Sequence, residues 1–269
     1  MPNREILIIN SCINPQCVFY LTISDPSERL RLLVCSLISW ILYTKIPTIV
    51  LCDNGLSEYD FTGIADFAKD HGKSFEAIHI KPDPLTEKLG RGYGEGATIR
   101  HVLTHSKYVE ENTSFYKITG NSFVANFDDI SAREADRTLV FGCKPTPLFS
   151  FTNFKYIGMN SLSNARHHYC RRGILCFLLK PMFLPTHFYK CNVSIYKRFL
   201  IDKFNKVFDS QGYYLEHAFY DSLRFRARWA TFSIKPMIVG RSGSSGALHG
   251  GDYSEVVKKI AEGFIQRMK

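Results

Sequence analysis

Apolar residues in the first third of the chain alternate between two spacings. Glu5 to Asn10 is a short apolar run rich in β-branched residues, Thr48 to Cys52 is a second and Phe75 to Ile80 a third, each of strand length. Between them apolar positions recur at helical spacing over Leu30 to Tyr43, a segment opened by Asp25-Pro26, and over Tyr59 to His71. A β-α-β-α-β order with short connections predicts a parallel sheet covered by helices, a Rossmann-like half. Ligands of such sheets gather at the carboxyl ends of the strands, which puts Asn10 to Asn14 and Asp53-Asn54-Gly55 at the rim of a pocket. The plain alternative for Asp53-Asn54-Gly55 is a turn.

Farther along, Gly90, Gly92, Gly94 and Gly96 precede an amphipathic helix predicted from Ala97 to about Val109, followed by a strand near Phe115 to Ile118 and another at 138–142. From Asn164 to Lys206 the chain turns basic, with Arg166, Arg171, Arg172, Lys180, Lys190, Lys197, Arg198, Lys203 and Lys206 against Asp202 as the acid. Gly240 to Gly251 is rich in Gly and Ser, and helical spacing returns over Tyr253 to Met268. There is no internal repeat, heptad pattern or long low-complexity tract.

Composition narrows the class. With 45% hydrophobic, 14% aromatic and 22% charged residues over 269 positions, the chain is globular and excludes disordered, collagen-like and coiled-coil classes. A formal net charge of +9 favours anionic partners: phosphate-bearing small molecules, an acidic lipid surface or nucleic acid. The apolar run Ile6 to Ile9 is closed by Asn10 and is too short for an export signal, so the 8 cysteines are expected as reduced thiols and the chain as cytoplasmic. Leu32 to Tyr43, interrupted by Ser36 and Ser39, falls short of the roughly 20 residues that span a bilayer and reads as a buried helix.

Several segments carry candidate chemistry. Gly92-Tyr93-Gly94-Glu95-Gly96-Ala97 fits G-x-G-x-x-A formally, but Pro82 and Pro84 stand where the preceding strand should be. As a glycine-rich loop running into a helix, it still offers bare amides and a positive helix end to a phosphate or sugar hydroxyl. Arg241-Ser242-Gly243-Ser244-Ser245-Gly246 combines amides, hydroxyls and a guanidinium suited to a diphosphate, with a flexible linker as the alternative. No G-x-S-x-G surrounds a serine, so a hydrolase nucleophile has no support. His167, His168, Cys170 and Cys176 suggest zinc, but the cysteines are too far apart for C-x-x-C and no second pair follows, so free cysteines packed as small hydrophobes are the expected reading and a zinc site the alternative. Asp128-Asp129 is expected to cap the helix that follows, with a divalent ion as the alternative. Glu216, in the aromatic setting Gly212 to Tyr220, has surroundings that raise a carboxyl pKa and suit it to proton abstraction; a plain helix ion pair is the other reading. Cys170 to Leu184 sets Arg171, Arg172 and Lys180 in a short apolar stretch, either an interfacial membrane segment or a buried helix with a basic end.

The order of Leu21-Thr22-Ile23-Ser24-Asp25 with Arg29, Ser36 to Trp40, Ile49 to Asn54, Gly92 to Gly96, Lys117-Ile118-Thr119-Gly120-Asn121, Tyr214-Leu215-Glu216 and the SGSSG segment resembles bacterial glycosyltransferase-like proteins of capsule and lipopolysaccharide gene clusters. The resemblance implies a Rossmann-like GT-A fold: a three-layer α/β/α domain with a mostly parallel sheet, a basic helical appendage and no second domain in 1–269. Residues 1–130 would form the donor-binding half, and 131–269 the acceptor side with the basic segment 164–206 and the C-terminal helix. It implies transfer of a sugar from an activated donor, nucleotide- or pyrophosphate-linked, to a growing surface glycan or lipid-linked acceptor. In the donor pocket it places Asp53, Asn54, Gly94 and Glu95, with Lys117, Thr119, Gly120 and Asn121 as the floor. Arg241, Ser242, Ser244 and Ser245 would close over the leaving phosphates, and Glu216 would deprotonate the acceptor. Lys117 to Asn121 carries no carboxylate where such enzymes have their metal-binding Asp-x-Asp, so no metal is required, Mg remaining an option, and Lys117 or Arg100 would help neutralise the phosphates. Arg166, Arg171, Arg172 and Lys180 would meet the acceptor or an anionic inner membrane face. The rivals are a transferase using phosphoribosyl pyrophosphate, a nucleic-acid binder stacking bases on some of the 14 Tyr and 21 Phe, and a non-catalytic membrane scaffold.

Overall fold

A computed structural model describes residues 5–15, 21–55, 59–142, 146–147, 182–211, 213–243 and 246–268. Strand β1 (Glu5–Ser11) leads into helix α1 (Pro26–Tyr43), strand β2 (Thr48–Asp53), helix α2 (Thr62–Asp70) and strand β3 (Ser74–His79). The expected alternation is present because each local signal is met. Asp25 caps α1, its carboxylate accepting from the Ser27 and Glu28 amides, with Pro26 at the first helical position. Helix α2 starts later than its apolar spacing suggests, because the Asp60 carboxylate turns the chain first by accepting from the Thr62 amide at 2.8 Å.

A short helix α3 (Leu85–Leu89) and α4 (Arg91–His105) come next, then β4 (Ser114–Thr119), β5 (Ser122–Val124), α5 (Phe127–Arg133) and β6 (Leu139–Phe141). Beyond them lie β7 (Thr146–Pro147), β8 (Met182–Phe183), β9 (Phe188–Asn192), α6 (Val193–Phe199), α7 (Leu215–Leu223), β10 (Ala230–Thr231), β11 (Ile238–Arg241), β12 (Leu248–His249) and α8 (Glu255–Ile265). The central sheet has the order β10-β6-β9-β4-β1-β2-β3. Pairs β1–β2, β1–β4, β2–β3 and β6–β10 are parallel, whereas β9 runs antiparallel between β4 and β6. Alternate residues of the central strands enter opposite cores. Leu7, Ile9, Ile49 and Leu51 pack with α1, α2 and α8, while Ile6, Ile8, Val50 and Cys52 pack with α4, α6 and α7. Burial on both faces is why these strands read as unbroken apolar runs, and it makes the molecule a three-layer α/β/α sandwich with a mostly parallel sheet.

Three sequence expectations change. The Gly90–Gly96 segment is not a loop: α4 begins at Arg91 and carries Gly92, Gly94 and Gly96 in its first turns. Those glycines let other segments come close, since a Cβ on Gly96 would lie 2.2 Å from the Phe204 Cβ. The described part of the basic segment, 182–206, is woven into the main sheet through β9, where Lys190 is fully buried and its Nζ donates to Glu5 Oε1 (2.6 Å) and the Glu134 carbonyl (2.7 Å). Asp128 and Asp129 lie inside the first turn of α5, whose N-cap is Asn126, and Asp128 Oδ1 accepts from the Lys45 amide. The stretch 164–181, with Arg166, His167, His168, Cys170, Arg171, Arg172, Cys176 and Lys180, lies outside the described residues. Among those described, Cys12, Cys35, Cys52 and Cys191 are free thiols, and no helix is long and apolar enough to cross a membrane.

Candidate active site

The carboxyl ends of β1, β2 and β4 lie side by side, with Ser11 opposite Asp53 and Asn10 opposite Thr119. Above them opens a cleft of about 500 Å³. Its floor is Asn10, Ser11, Asn54, Thr119 and Asn121, where a doubly wound sheet places its ligands. Arg91, Gly92, Gly94 and Glu95 of α4 form one wall, Tyr214, Leu215 and Glu216 at the start of α7 another, and Arg29 of α1 with Ser242 and Gly243 closes a third.

The two glycine-bearing segments meet across this cleft although they are far apart in sequence. β5 follows β4 directly and pairs antiparallel with β11, Ser122 opposite Gly240, so the residues after Arg241 fall beside Asn121. Gly240 is required there: its φ is +118°, and a Cβ would lie 2.2 Å from the Asn121 carbonyl oxygen. The Asn121 amide donates to the Arg241 carbonyl, and the Gly243 carbonyl accepts from the Thr22 and Ile23 amides, binding the loop to the segment before α1. Ser244 and Ser245 lie outside the described residues.

Three carboxylates enter the cleft with different partners. Glu95 Oε1 is 2.6 Å from the fully buried Lys117 Nζ, which also donates to the Thr186 carbonyl. Thr186 Oγ1 donates in turn to Glu216 Oε1 at 2.9 Å. Burial first, then the facing charge of Glu95, pushes the Glu216 carboxyl up to about 7. Asp209 accepts from the Gly92 amide at 3.3 Å and so occupies the N-terminus of α4, which the sequence offered to a phosphate. Gly90, at φ +107°, lies against that carboxylate: a Cβ there would be 2.3 Å from it.

The remaining expected residues divide. Asp53 lies buried beneath the cleft, its carboxylate accepting from the Ile13 and Gly55 amides, so it holds a turn rather than facing a ligand. Lys117 is likewise below the surface, committed to Glu95 and Thr186. Arg100 is on the outer face of α4, beside Asp202 at 3.6 Å and over the Phe204 ring, away from the cleft. Gly120 borders a small adjoining recess that also holds Arg29. Arg241 contributes its carbonyl to Asn121, and its side chain is not among the residues bordering the cleft.

Sequence reasoning put Asn10 at the pocket rim, as found, but missed Arg91, His187 and Asp209 as cleft residues, and gave Arg29 only a place in a motif. Arg29 is held by its Nε to the Cys12 carbonyl (2.6 Å) and by Nη1 to the Ile23 carbonyl (3.0 Å), and burial lowers its pKa from the usual guanidinium value. His187 borders the cleft, 5.1 Å from the His249 ring centroid. Burial, with Lys117 and His249 nearby, pushes its imidazole down to about 3, so it is neutral. Asp-x-x-x-Arg at a helix start was the available signal for Arg29; the other residues are joined only by tertiary contacts. Among the described residues no group of three His, Cys, Asp or Glu side chains is arranged for a metal ion. The end of β4 offers Thr119, Gly120 and Asn121, neutral groups that do not suit a divalent cation on a diphosphate.

No family model and no curated protein matches the sequence. Among solved structures, the chain is similar to the galactosyltransferase LgtC in complex with donor and acceptor sugar analogs, at 12% identity and a TM-score of 0.48, over 84% of this chain and 72% of that one. It is also similar to core-mannan synthase A of Aspergillus fumigatus in an Mn/GDP form, at 11% identity and a TM-score of 0.46, over 99% of this chain and 85% of that one. A third likeness is to the glycosyltransferase GlyE of Streptococcus pneumoniae, at 10% identity and a TM-score of 0.43, over 86% and 46% of the two chains. None of these similarities assigns a role to a residue here.

Proposed function

We propose that the chain is a GT-A-like glycosyltransferase that moves a sugar from a nucleotide- or pyrophosphate-linked donor to a hydroxyl of a glycan or lipid-linked acceptor, without a metal. One observation carries the reading. Asn10 Oδ1, Asn54 Oδ1, Asp209 Oδ1 and His187 Nε2 are buried without a hydrogen-bond partner in the protein, and all four residues border the one cleft. Orphaned polar atoms are rare in a folded chain and call for a ligand. Three of these are oxygens that accept, so the ligand must supply several O–H or N–H donors, as a polyhydroxylated sugar does. Arg29 and Arg91 in the same cleft add cationic donors suited to phosphate.

The chemistry then falls to Glu216. Its carboxylate accepts the proton of the acceptor hydroxyl as that oxygen bonds to the anomeric carbon, and the bond from that carbon to the phosphate oxygen breaks, its electron pair leaving with the phosphate. Attack opposite the leaving group inverts the anomeric centre. Arg29 and Arg91 offset the charge developing on the departing phosphate, the part a metal plays elsewhere. Ser242 and the Gly243 segment close the phosphate end, with Ser244 and Ser245 next in sequence. Work at a cytoplasmic membrane face, with Arg166, Arg171, Arg172 and Lys180 toward lipid, and a place in capsule or lipopolysaccharide synthesis belong to the same proposal.

The test is turnover on a panel of nucleotide and pyrophosphate sugars with lipid-linked and synthetic acceptors, comparing wild type with Glu216→Gln. Loss of turnover with donor binding retained supports the assignment; equal turnover removes it. Binding of phosphoribosyl pyrophosphate in preference to every nucleotide sugar would shift the donor to the rival class.

A further inference from the structure

The turn after α7 exposes an unusual set of side chains. Arg224, Phe225, Arg226 and Arg228 are all exposed, Phe225 at 87%, the most exposed of the large hydrophobic side chains described. The turn is built rather than loose. The Arg224 amide donates to the Tyr220 carbonyl at 2.9 Å, and the Arg226 and Ala227 amides both donate to the Leu223 carbonyl. Trp229 fastens its far end, packing edge-on against the Phe141 ring at 6.2 Å. The Arg224 guanidinium lies 4.9 Å over the Phe225 ring and 3.8 Å from Asp221, whereas Arg226 and Arg228 have no carboxylate partner among the described residues.

An ordered turn that spends an aromatic ring on water beneath the Arg224 guanidinium, with the exposed Arg226 and Arg228 beside it in sequence, leaves both an apolar and an ionic requirement unmet. An anionic bilayer interface meets both, taking the ring at the depth of the acyl boundary and the arginines at the headgroup phosphates. Protein partners generally offer a pocket to an aromatic anchor with satisfied neighbours; single-stranded nucleic acid wants several stacking rings along a groove, and here one ring protrudes. We infer that Arg224, Phe225, Arg226 and Arg228 form a docking point for anionic lipid membranes.

The turn leads straight into β10, which runs parallel to β6 and, through β9, to β4, so the docking point lies at the amino ends of the central strands, across the sheet from the cleft. The docking does not rest on the transferase reading.

The experiment sediments the full chain with vesicles of phosphatidylcholine alone or mixed with phosphatidylglycerol. Wild type is compared with the combined Arg224→Gln, Arg226→Gln, Arg228→Gln variant and with Phe225→Ser, and single-stranded RNA serves as a competing probe. Expected are salt-sensitive binding to the mixed vesicles only, a loss of about 100-fold for the arginine variant at roughly fivefold per charge, and a loss of about tenfold or more for Phe225→Ser. Wild type that ignores both vesicles, variants that bind as wild type does, or RNA binding lost in the arginine variant without vesicle binding would each overturn the inference. Donor-induced thermal shifts in the same variants report the cleft separately, so a failed transferase reading and a failed docking surface are told apart.

Discussion

A carboxyl group that titrates near neutrality must be both an acceptable base and an expensive passenger, and Glu216 is placed to be both. Its pKa is raised by burial and by Glu95, so the folded chain holds a proton that the unfolded chain releases at its ordinary carboxylate pKa. Stability is therefore greatest below the unfolded value, falls as pH rises through the window up to about 7, and levels off above it. Glu216→Gln should raise the unfolding free energy above that pH by an amount on the order of 1–3 kcal/mol, seen as a higher melting temperature, while lowering turnover about 10²- to 10⁴-fold. Wild-type kcat/KM should rise with pH through about 7, the deprotonated form being the active one, and a flat profile would remove Glu216 as the base. Lys117 tests the residue scale from the other side. Fully buried against Glu95 at 2.6 Å, it leaves an uncompensated carboxylate when removed, so Lys117→Met should cost about 3 kcal/mol in urea denaturation. Adding Glu95→Gln should restore most of that loss, because the pair and not the lysine alone is what the fold requires.

Helix α4 shows how elements override propensity. Four glycines within Gly90 to Gly96 read as a loop, since glycine costs about 1 kcal/mol in a helix relative to alanine. The helix forms regardless, because Phe204 packs where a side chain on Gly96 would stand and a Cβ on Gly92 would lie 3.2 Å from Leu215 and Val207. Gly96→Ala should therefore destabilise the chain by about 1–3 kcal/mol despite its better helix propensity, measured by denaturant midpoint; a stabilised variant would show that the Phe204 contact is loose. The same contrast marks what was legible. β1, α1 and β2 carry their reasons locally, in apolar runs buried on both faces and in the Asp25-Pro26 cap. β9 does not. Its Lys190 makes the segment look like basic surface, and only the remote Glu5 carboxylate and Glu134 carbonyl explain a lysine in the middle of a sheet. For the site, Glu216 and the meeting of the two glycine segments were readable from residue type and order. Asp209 at the head of α4 and His187 beside the cleft were not, since neither lies in a motif and both act through contacts between distant segments.

At the scale of the whole molecule, the cleft joins the ends of β1, β2 and β4 to α1, α4, α7 and the loop after β11, so nearly every layer of the fold contributes a wall. A ligand that fills it satisfies the orphaned atoms of Asn10, Asn54, Asp209 and His187 together, and these groups come together only in the folded chain. Binding must then stabilise the fold globally rather than one lobe of it. At about one hundred times its dissociation constant a donor adds about 2.7 kcal/mol, which for a chain of this size corresponds to a rise of roughly 5–10 °C in melting temperature. On the proposed role of Arg29 and Arg91 at the phosphates, the shift should persist in excess EDTA and should shrink in Arg91→Ala. A shift abolished by the chelator and restored by Mg would mean that a metal, held by groups outside the described cleft residues, carries the phosphate charge, and the assignment of the arginines would fall with it.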